Sequence, residues 1–312
     1  MPLVLNVKTK KWLKNMINFP NIDPIAFTIL DFPVHWYGIS YAVGILLASY
    51  ISQKLCRIHK NTPINEKHID GLFSYAVLGI ILGGRLGYVL FYNPAFFLAN
   101  PQEILAVWNG GMSFHGGFLG VIIASILYAK KWNISLIYLT DRIAPGACLG
   151  LLLGRLANFI NGELYGRASD VPWAMVFPTG GDVPRHPSQL YEALFEGLIL
   201  YFILFAIAKK TNRQGVVSGS FLIGYGIFRF FIEYTRQPDD IDHLNTMPIF
   251  QYITMGQILC LPMIFGGIYM LFRIYQKKKE IETAISNAYK DGKDNDNSTK
   301  FIYTEKLDDD AF

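Results

Sequence analysis

The sequence predicts an all-α polytopic membrane protein with about seven transmembrane helices and a small extracytoplasmic cap. Three stretches, 32–53, 104–129 and 243–272, contain no Asp, Glu, Lys or Arg. Each is longer than the roughly 20 residues that cross the hydrocarbon core of a bilayer. A helix on the core of a soluble protein keeps a polar face and would not lack charge over such a length. The chain therefore spans a membrane.

Residues 1–30 are predicted to form an interfacial arm rather than a cleavable signal sequence. Only short apolar patches and three prolines follow its basic residues before the first long apolar segment. We expect Trp12, Ile17 and Phe19 to dip into the membrane surface while the lysines contact lipid headgroups. These lysines are Lys8, Lys10, Lys11 and Lys14.

Hydropathy predicts seven helices within a transmembrane domain that covers residues 31–276. The fourth and fifth have the shortest charge-free cores. Residues 277–312 are polar and highly charged, which predicts a solvated, largely disordered tail. The predicted helices are Trp36–Cys56, Leu72–Tyr92, Phe114–Ala129, Ile143–Phe159, Ala193–Ala208, Val216–Tyr234 and Thr254–Tyr275.

Lysine and arginine in short loops predict the orientation, because cytoplasmic loops carry an excess of both. One set of loops holds 14 of these residues, and the opposite set holds 7 even with the four arm lysines included. The N-terminus is therefore predicted outside and the C-terminus in the cytoplasm. Residues 161–192 then form the extracytoplasmic cap, which their proline, glycine and aspartate content also favours.

Charged side chains within the predicted helices are functional candidates, because they are costly in lipid. The main ones are Arg85, Arg155, Arg229 and Glu233, and Arg236 continues the face of the last two. One interpretation is that each arginine reaches the interface or pairs with a glutamate to hold helices together. Several arginines at the outer ends of different helices instead favour an anionic ligand such as a lipid phosphate, which guanidinium groups bind through two parallel hydrogen bonds.

His115 is the candidate proton acceptor, because histidine takes up a proton near neutral pH. It lies in a glycine-rich stretch, GGMSFHGG, at the start of the third predicted helix. The alternative is a histidine that packs beside a helix-start turn. His186 is a second candidate, but it precedes a proline in an extended segment and is expected to support the cap. Ser113 does not lie in a GxSxG pattern and is interpreted as a turn residue.

The sequence gives no support to a metal site, a redox centre or a nucleic-acid interface. The three cysteines are isolated from one another, so neither a zinc site nor a redox centre is predicted. The net charge of +4 is spread over short loops and gives no support to a nucleic-acid partner.

Residues 154–166 form a long motif with many polar positions and read GRLANFINGELYG. This motif resembles the signature of the bacterial prolipoprotein diacylglyceryl transferase family, which is G-R-x-G/A-N-F-x-N-x-E-x-x-G. Further similar stretches occur in the family's order and extend the resemblance over about residues 20–275. They are WYG at 36–38, GGRLGY at 83–88, HGG at 115–117, HPSQLYE at 186–192, RFFIE at 229–233 and RQPD at 236–239.

The resemblance implies the reaction. Phosphatidylglycerol would donate its sn-1,2-diacylglyceryl group to the lipobox cysteine of a prolipoprotein signal peptide, releasing glycerol 1-phosphate in a bacterial inner membrane. It implies no metal and no organic cofactor.

Within that reaction His115 would generate the thiolate, and Arg155 and Arg229 would hold the phosphate leaving group. Glu233 would orient Arg229 or Arg236. The remaining substrate-binding candidates are Tyr37, Arg85, Asn158, Asn161, Glu163 and Gly166.

Two other classes stay open at this stage. A transporter could bind an anion with the same arginines, although broken helices in paired positions would then be expected. A membrane assembly factor without enzymatic activity would use these residues only in helix packing and should tolerate His115→Gln.

Overall fold

The computed structural model describes residues 17–60, 62–237 and 253–290. The chain divides into two compact units. One contains residues 49–143, and the other contains the residues before and after that range.

Each of the seven predicted helices is present among the described residues. Five of them are long and apolar enough to cross a membrane, and Val216–Ile232 is a shorter apolar helix. Leu46, Leu82, Phe202 and Leu259 are each at least 60% exposed along them, as a lipid-facing surface requires. The helices are α1 Trp36–Ile58, α2 Glu66–Phe91, α3 Phe114–Trp132, α4 Leu136–Ile160, α5 Ser188–Lys210, α6 Val216–Ile232 and α7 Met255–Lys290.

Glycines bring α2 and α3 into backbone contact in the 49–143 unit. A Cβ atom at Gly83 would overlap the carbonyl oxygen of Gly116, and one at Gly120 would overlap that of Gly79. These glycines recur every four residues and so lie on one face of each helix. Small residues at this spacing let membrane helices approach closely enough for dense van der Waals packing. The contact brings the start of α3, with His115, beside α2.

Gly120→Ala should destabilise this unit by about 1–3 kcal/mol, because the added methyl group meets backbone that cannot move aside. Gly266→Ala is the matched control, since nothing lies within 4 Å of a Cβ atom at that position in α7. Thermal unfolding of both variants in detergent measures the difference. An unfolding temperature for Gly120→Ala equal to that of Gly266→Ala would contradict the packing.

The other end of this unit has an apolar core. Ile69, Leu72 and Leu139 are at most 1% exposed there, and Tyr128 of α3 belongs to the same core cluster. Asn65 caps α2 by accepting a hydrogen bond from the backbone N–H of His68 at 3.2 Å, and His68 Nδ1 accepts from the backbone of Asn65 at 3.1 Å. This reciprocal cap explains why α2 begins six residues before the predicted start.

In the other unit, small residues again mark the helix contacts. A Cβ atom at Gly146 of α4 would lie 2.6 Å from Cα of Ala48 in α1, and one at Gly197 of α5 would lie 2.7 Å from Cβ of Leu152. One at Gly267 of α7 would lie 2.7 Å from the carbonyl oxygen of Gly219 in α6. These contacts join α1 to α4, α4 to α5 and α6 to α7.

Residues 161–187, here named the cap, fold as a compact irregular segment within the same unit. Strand β1 Ile17–Asn18 pairs in parallel with β4 Met175–Val176. Phe19 packs on Phe159 and Phe177 with ring centroids 5.2 and 5.3 Å apart. The ring of Phe19 therefore has protein partners both at the end of α4 and in the cap.

The remaining strands, β2 Ile25–Ile29 and β3 Phe32–His35, form an antiparallel hairpin that leads directly into α1. Leu30 and Asp31 adopt positive φ angles at its turn. Residues 1–16, which include the arm lysines and Trp12, lie outside the described residues.

Two predicted boundaries are wrong. The cap was expected to reach residue 192, but α5 begins at Ser188, directly after Pro187, whose fixed φ angle suits the residue that precedes a helix. The tail was expected to be disordered from Lys277, but α7 continues to Lys290. Residues 277–290 contain no proline or glycine, and Lys278 pairs with Glu282 one turn later at 3.5 Å. Residues 291–312 lie outside the described part of the chain.

Candidate active site

Six charged side chains from residues 155–236 meet in the same unit, and Glu192 lies at their centre. The carboxylate of Glu192 lies 2.6 Å from Nε of Arg155, 3.3 Å from Nη1 of Arg229 and 3.2 Å from Nη1 of Arg236. Glu233 lies 3.3 Å from Nη2 of Arg229 and 3.6 Å from Nε of Arg236. Glu196 completes the set, here named the charge cluster, at 3.7 Å from Arg229.

Three helices and the turn after α6 supply the charge cluster. Arg155 lies near the end of α4, Glu192 in the second turn of α5, and Arg229 in the last turn of α6. Glu233 caps α6, and its backbone N–H donates to the carbonyl oxygen of Arg229 at 3.0 Å. The predicted single face of residues 229, 233 and 236 is thus present, and Glu233 contacts both arginines, as its proposed orienting role requires.

The arginines of the charge cluster do not extend to the surface. Their side chains are between 10% and 18% exposed, whereas those of Glu192 and Glu196 are at most 1% exposed. Ion pairing with glutamate, the structural alternative for these arginines, is therefore realised. Pairing also holds each guanidinium at a fixed position without removing its remaining N–H donors.

Several of these ion pairs lack aligned hydrogen bonds. Among the described residues, Oε2 of Glu192, both carboxylate oxygens of Glu196 and Nη1 of Arg229 have no hydrogen-bond partner. A buried charged atom without a hydrogen bond is costly, so a ligand that offers Nη1 of Arg229 an acceptor satisfies a group that the cluster leaves without one. This arrangement suits a site that must admit an additional anion.

A second polar group lies beside the end of α4. Oε1 of Glu163 accepts hydrogen bonds from the side-chain amides of Asn158 at 2.9 Å and Asn161 at 3.1 Å. Tyr37 of α1 interacts with the side chain of Asn158 and is 37% exposed. The structure therefore brings together four of the predicted substrate-binding residues, with a phenol and two amides as hydrogen-bond donors.

The beginning of α5 is attached to this group. Nε2 of Gln189 donates to the backbone carbonyl oxygen of Glu163 at 2.6 Å, and Oγ of Ser188 donates to that of Leu164 at 3.2 Å. These bonds connect the signature segment 154–166 to the helix that carries Glu192.

Gly166 has a packing role in the cap. Its backbone N–H donates to the carbonyl oxygen of His186 at 2.8 Å, and a Cβ atom there would lie 2.7 Å from Cβ of His186. Any side chain would separate the cap from the segment around Arg236, with which Gly166 forms an isolated bridge. The contacts of Gly166 thus hold the cap against the segment that carries Arg236.

His186, the second candidate base, has its contacts within the cap and the first turn of α5. Nδ1 lies 3.2 Å from the hydroxyl of Tyr191, and its backbone N–H donates to the carbonyl oxygen of Arg167 at 3.0 Å. Burial lowers the pKa of His186, with Asp170 opposing the shift. A less basic imidazole held by cap contacts fits the expected structural role.

Arg85 lies in the 49–143 unit and is 6% exposed. Its Nε donates to the carbonyl oxygen of Ile104 at 2.9 Å, and its terminal nitrogens donate to those of Glu103, Gly110 and Gly111. The guanidinium also stacks over Phe97 at 5.2 Å. Arg85 therefore fixes the loop that leads to α3, and these contacts point to a structural role rather than to substrate binding.

His115 belongs to the same unit and is exposed in the first turn of α3. Ser113 caps that helix by accepting a hydrogen bond from the backbone N–H of Gly116 at 3.2 Å, which confirms its interpretation as a turn residue. The ring of His115 contacts Phe114 edge to face, with centroids 5.7 Å apart. The histidine is thus accessible, and it is held at a capped helix start.

Sequence reasoning missed Glu192 and Glu196 as members of the site. Glu192 lies in the HPSQLYE stretch, but its placement in a cap loop concealed its contact with α4 and α6. Glu196 lies within a predicted helix, where the rule that marked Arg85 and Arg155 applies equally.

Comparison with known proteins identifies the family of the chain. The model of the family described as prolipoprotein diacylglyceryl transferase matches residues 24–273. The chain belongs to this family. The match contains every predicted site residue and ends before the C-terminal part of α7.

Curated members of the prolipoprotein diacylglyceryl transferase family are similar along nearly their whole length. The phosphatidylglycerol–prolipoprotein diacylglyceryl transferase of Nitrosomonas europaea is 47% identical over 281 residues, which cover 90% of this chain and 100% of the relative. That of Methylococcus capsulatus is 46% identical over 264 residues, covering 84% and 99%. That of Bordetella parapertussis is 48% identical over 253 residues, covering 81% and 95%. As a family member, the chain is a multi-pass membrane transferase.

Proposed function

We propose that this chain transfers the sn-1,2-diacylglyceryl group of phosphatidylglycerol to the thiol of the lipobox cysteine of prolipoproteins. The observation that carries the proposal is the charge cluster, three arginines held on glutamates within the family domain. The products are a thioether-linked diacylglyceryl protein and glycerol 1-phosphate.

The reaction needs a thiolate and a stabilised leaving group. His115 takes the proton of the cysteine thiol, and the sulfur attacks the glyceryl C3 atom. The bond between C3 and the phosphate oxygen breaks, and its electron pair leaves with glycerol 1-phosphate. Arg155 and Arg229 hold this phosphate through charge-assisted hydrogen bonds, which strengthen as negative charge develops.

The second polar group would hold the rest of the headgroup. Tyr37, Asn158 and Asn161 offer hydrogen-bond donors to the glycerol hydroxyls or to the phosphate, and Glu163 fixes both amides. Glu192 and Glu233 keep the guanidinium groups in place between turnovers. A pre-arranged site of this kind lowers the barrier because its dipoles need little reorganisation.

The direct experiment uses a model lipobox peptide, the purified protein and phosphatidylglycerol, with mass spectrometry as the readout. We expect the peptide to gain the mass of one diacylglyceryl group on its cysteine, with release of glycerol 1-phosphate. A transporter would move lipid without releasing glycerol 1-phosphate, and an assembly factor would leave the peptide unmodified. Either result would exclude the proposed reaction.

We also propose that the chain lies in the bacterial inner membrane with its N-terminus outside and its C-terminus in the cytoplasm. The excess of basic residues in one set of loops supports this orientation. The cap and the charge cluster then lie toward the outer leaflet, where a secreted precursor still held by its signal peptide can reach them.

Single cysteines at Asp182 and Asn212 test this orientation. In the background, alanine replaces the three native cysteines, because they are buried and a small apolar residue fits their positions. An impermeant thiol reagent added to intact spheroplasts should label Asp182→Cys, and it should label Asn212→Cys only after the membrane is permeabilised. The reverse pattern would overturn the orientation.

A further inference from the structure

Glu196 is a buried carboxylate to which the proposed reaction assigns no role. It is fully buried, and both carboxylate oxygens lack a hydrogen-bond partner among the described residues. Its nearest cation is Nη1 of Arg229, at 3.7 Å. Burying a carboxylate without hydrogen-bond donors is costly, and the cost falls when the group carries a proton.

The other two carboxylates of the charge cluster are held more firmly. Glu192 contacts three arginines, the closest at 2.6 Å. Glu233 contacts two, and the hydroxyl of Thr254 donates to it at 3.2 Å. Glu196 has one ion-pair contact, and it is the longest in the cluster. Of the three, Glu196 therefore loses least when it becomes neutral.

A π-helical segment, Ala193–Ile199, places Glu196 at this position within α5. Such segments inside α-helices frequently occur at functional sites, because the wider turn redirects one side chain. Gly197 packs directly on Leu152 of α4, one turn before Arg155, which fixes the segment against the helix that carries that arginine. The segment therefore sets both Glu192 and Glu196 against the arginines.

Charge balance shows why the protonation of one carboxylate matters. Three arginines and three ionised glutamates sum to zero, so a buried phosphate would meet no net positive charge. One proton on a glutamate gives the charge cluster a net charge of +1, which matches the single negative charge of a phosphodiester. Glu196 is the least firmly held of the three carboxylates, so placing the proton there costs the least free energy.

We propose that Glu196 is a positioning residue that is protonated when the lipid phosphate binds, which leaves Arg229 available to the phosphate. The inference rests on the proposed function, because it assigns the phosphate to this cluster. In its ionised form Glu196 competes with the phosphate for Arg229. In its neutral form it packs beneath the guanidinium.

The ionisable groups around Glu196 come from all four helices of this unit that surround it. Arg155 and Cys148 lie on α4, Glu192 on α5, Arg229 and Tyr225 on α6, and Cys260 on α7, with Arg236 beyond α6. Between pH 6 and pH 9 arginines keep their charge, and the Glu196→Gln variant retains the thiols of Cys148 and Cys260 together with the other neighbouring groups. A change in lipid affinity over this range that Glu196→Gln abolishes therefore reports Glu196.

The experiment is equilibrium binding of phosphatidylglycerol, in mixed micelles with an uncharged detergent, without peptide. Omitting the peptide removes titration of the substrate thiol. The dissociation constant of the unaltered protein should be about tenfold higher at pH 9 than at pH 6. One added charge about 10 Å from the phosphate, at an effective dielectric constant of about 20, has an effect of this size.

Glu196→Gln keeps the shape of the side chain and cannot ionise. We expect its dissociation constant to be the same at pH 6 and pH 9, and about tenfold lower than that of the unaltered protein at pH 9. Glu196→Met, which is neutral and of similar volume, should also show no pH dependence. The matched control is Glu233→Gln, which should weaken binding at both pH values because Glu233 is required in its ionised form.

Two results would overturn the proposal. One is a dissociation constant of the unaltered protein that does not change with pH. The other is weaker binding by Glu196→Gln at pH 6, which would show that the ionised form holds Arg229. Both differ from failure of the proposed function, in which the unaltered protein would leave the lipobox peptide unmodified and release no glycerol 1-phosphate in the separate peptide assay.

Discussion

Arg155→Lys and Arg229→Lys should each lose most transfer activity while the protein remains inserted and folded. Lysine keeps the positive charge, so Glu192 does not become an unpaired buried anion in either variant. What is lost is the planar fork that gives a phosphate two parallel hydrogen bonds. Losing one such contact in a dry site costs about 2–4 kcal/mol of transition-state stabilisation, or roughly 30- to 1000-fold in rate.

The measurement is the initial rate of peptide modification for each variant at saturating phosphatidylglycerol. Arg57→Lys is the matched control, because Arg57 forms an exposed ion pair with Glu66 and should tolerate the exchange. Thermal unfolding in detergent checks that each variant is folded. Near-normal turnover in both cluster variants would reduce Arg155 and Arg229 to structural ion pairs.

Because Glu192 contacts all three arginines, substitutions of Glu192 are harder to interpret than substitutions of the arginines. Removing its charge would leave Arg155, Arg229 and Arg236 short of a common partner in a site that is almost closed to solvent. The cost of breaking a buried ion pair reflects mainly the charge left behind. Loss of activity on substitution of Glu192 would thus not separate folding from catalysis, whereas the two lysine variants do.

The sequence predicted the helices well because lipid imposes a simple rule. A helix that crosses the hydrocarbon core must be almost free of charge over about 20 residues, which a helix of a soluble protein need not be. No predicted segment extends more than two residues beyond the observed helix that contains it. The ends were less predictable because they depend on local contacts. Residues 141 and 142 are too polar for a predicted span, yet α4 extends through them because both are almost fully buried.

The candidate site was predicted in part. The spacing of residues 229, 233 and 236 is a property of any helix, so their common face followed from the sequence. The ion pairs of Glu192 with α4 and α6 depend on tertiary packing at Gly197 and Leu152, which no local pattern records. Arg85 was assigned to substrate binding by the same rule that marked Arg155, because the sequence does not show that loop carbonyls satisfy its donors.

His115→Gln should slow transfer by roughly 10²–10⁴-fold while leaving phospholipid binding almost intact. The prediction assigns His115 as the base that converts the cysteine thiol into a thiolate, and general-base catalysis contributes effects of this size. The histidine is exposed at a capped helix start, as a group that receives a proton from an incoming peptide must be. Glutamine keeps a polar side chain but cannot accept the proton.

A pH–rate profile of peptide modification distinguishes this role from others. Raising the pH should partly restore the rate of His115→Gln, because solvent then removes the proton from a thiol whose pKa is ordinarily about 8.5. Arg155→Lys and Arg229→Lys should show no such recovery, since their defect lies in holding the phosphate. His186→Gln, a substitution in the cap, should lower the stability of the protein more than it lowers the transfer rate. If His115→Gln loses lipid binding and stays inactive at high pH, His115 binds the headgroup and another residue is the base.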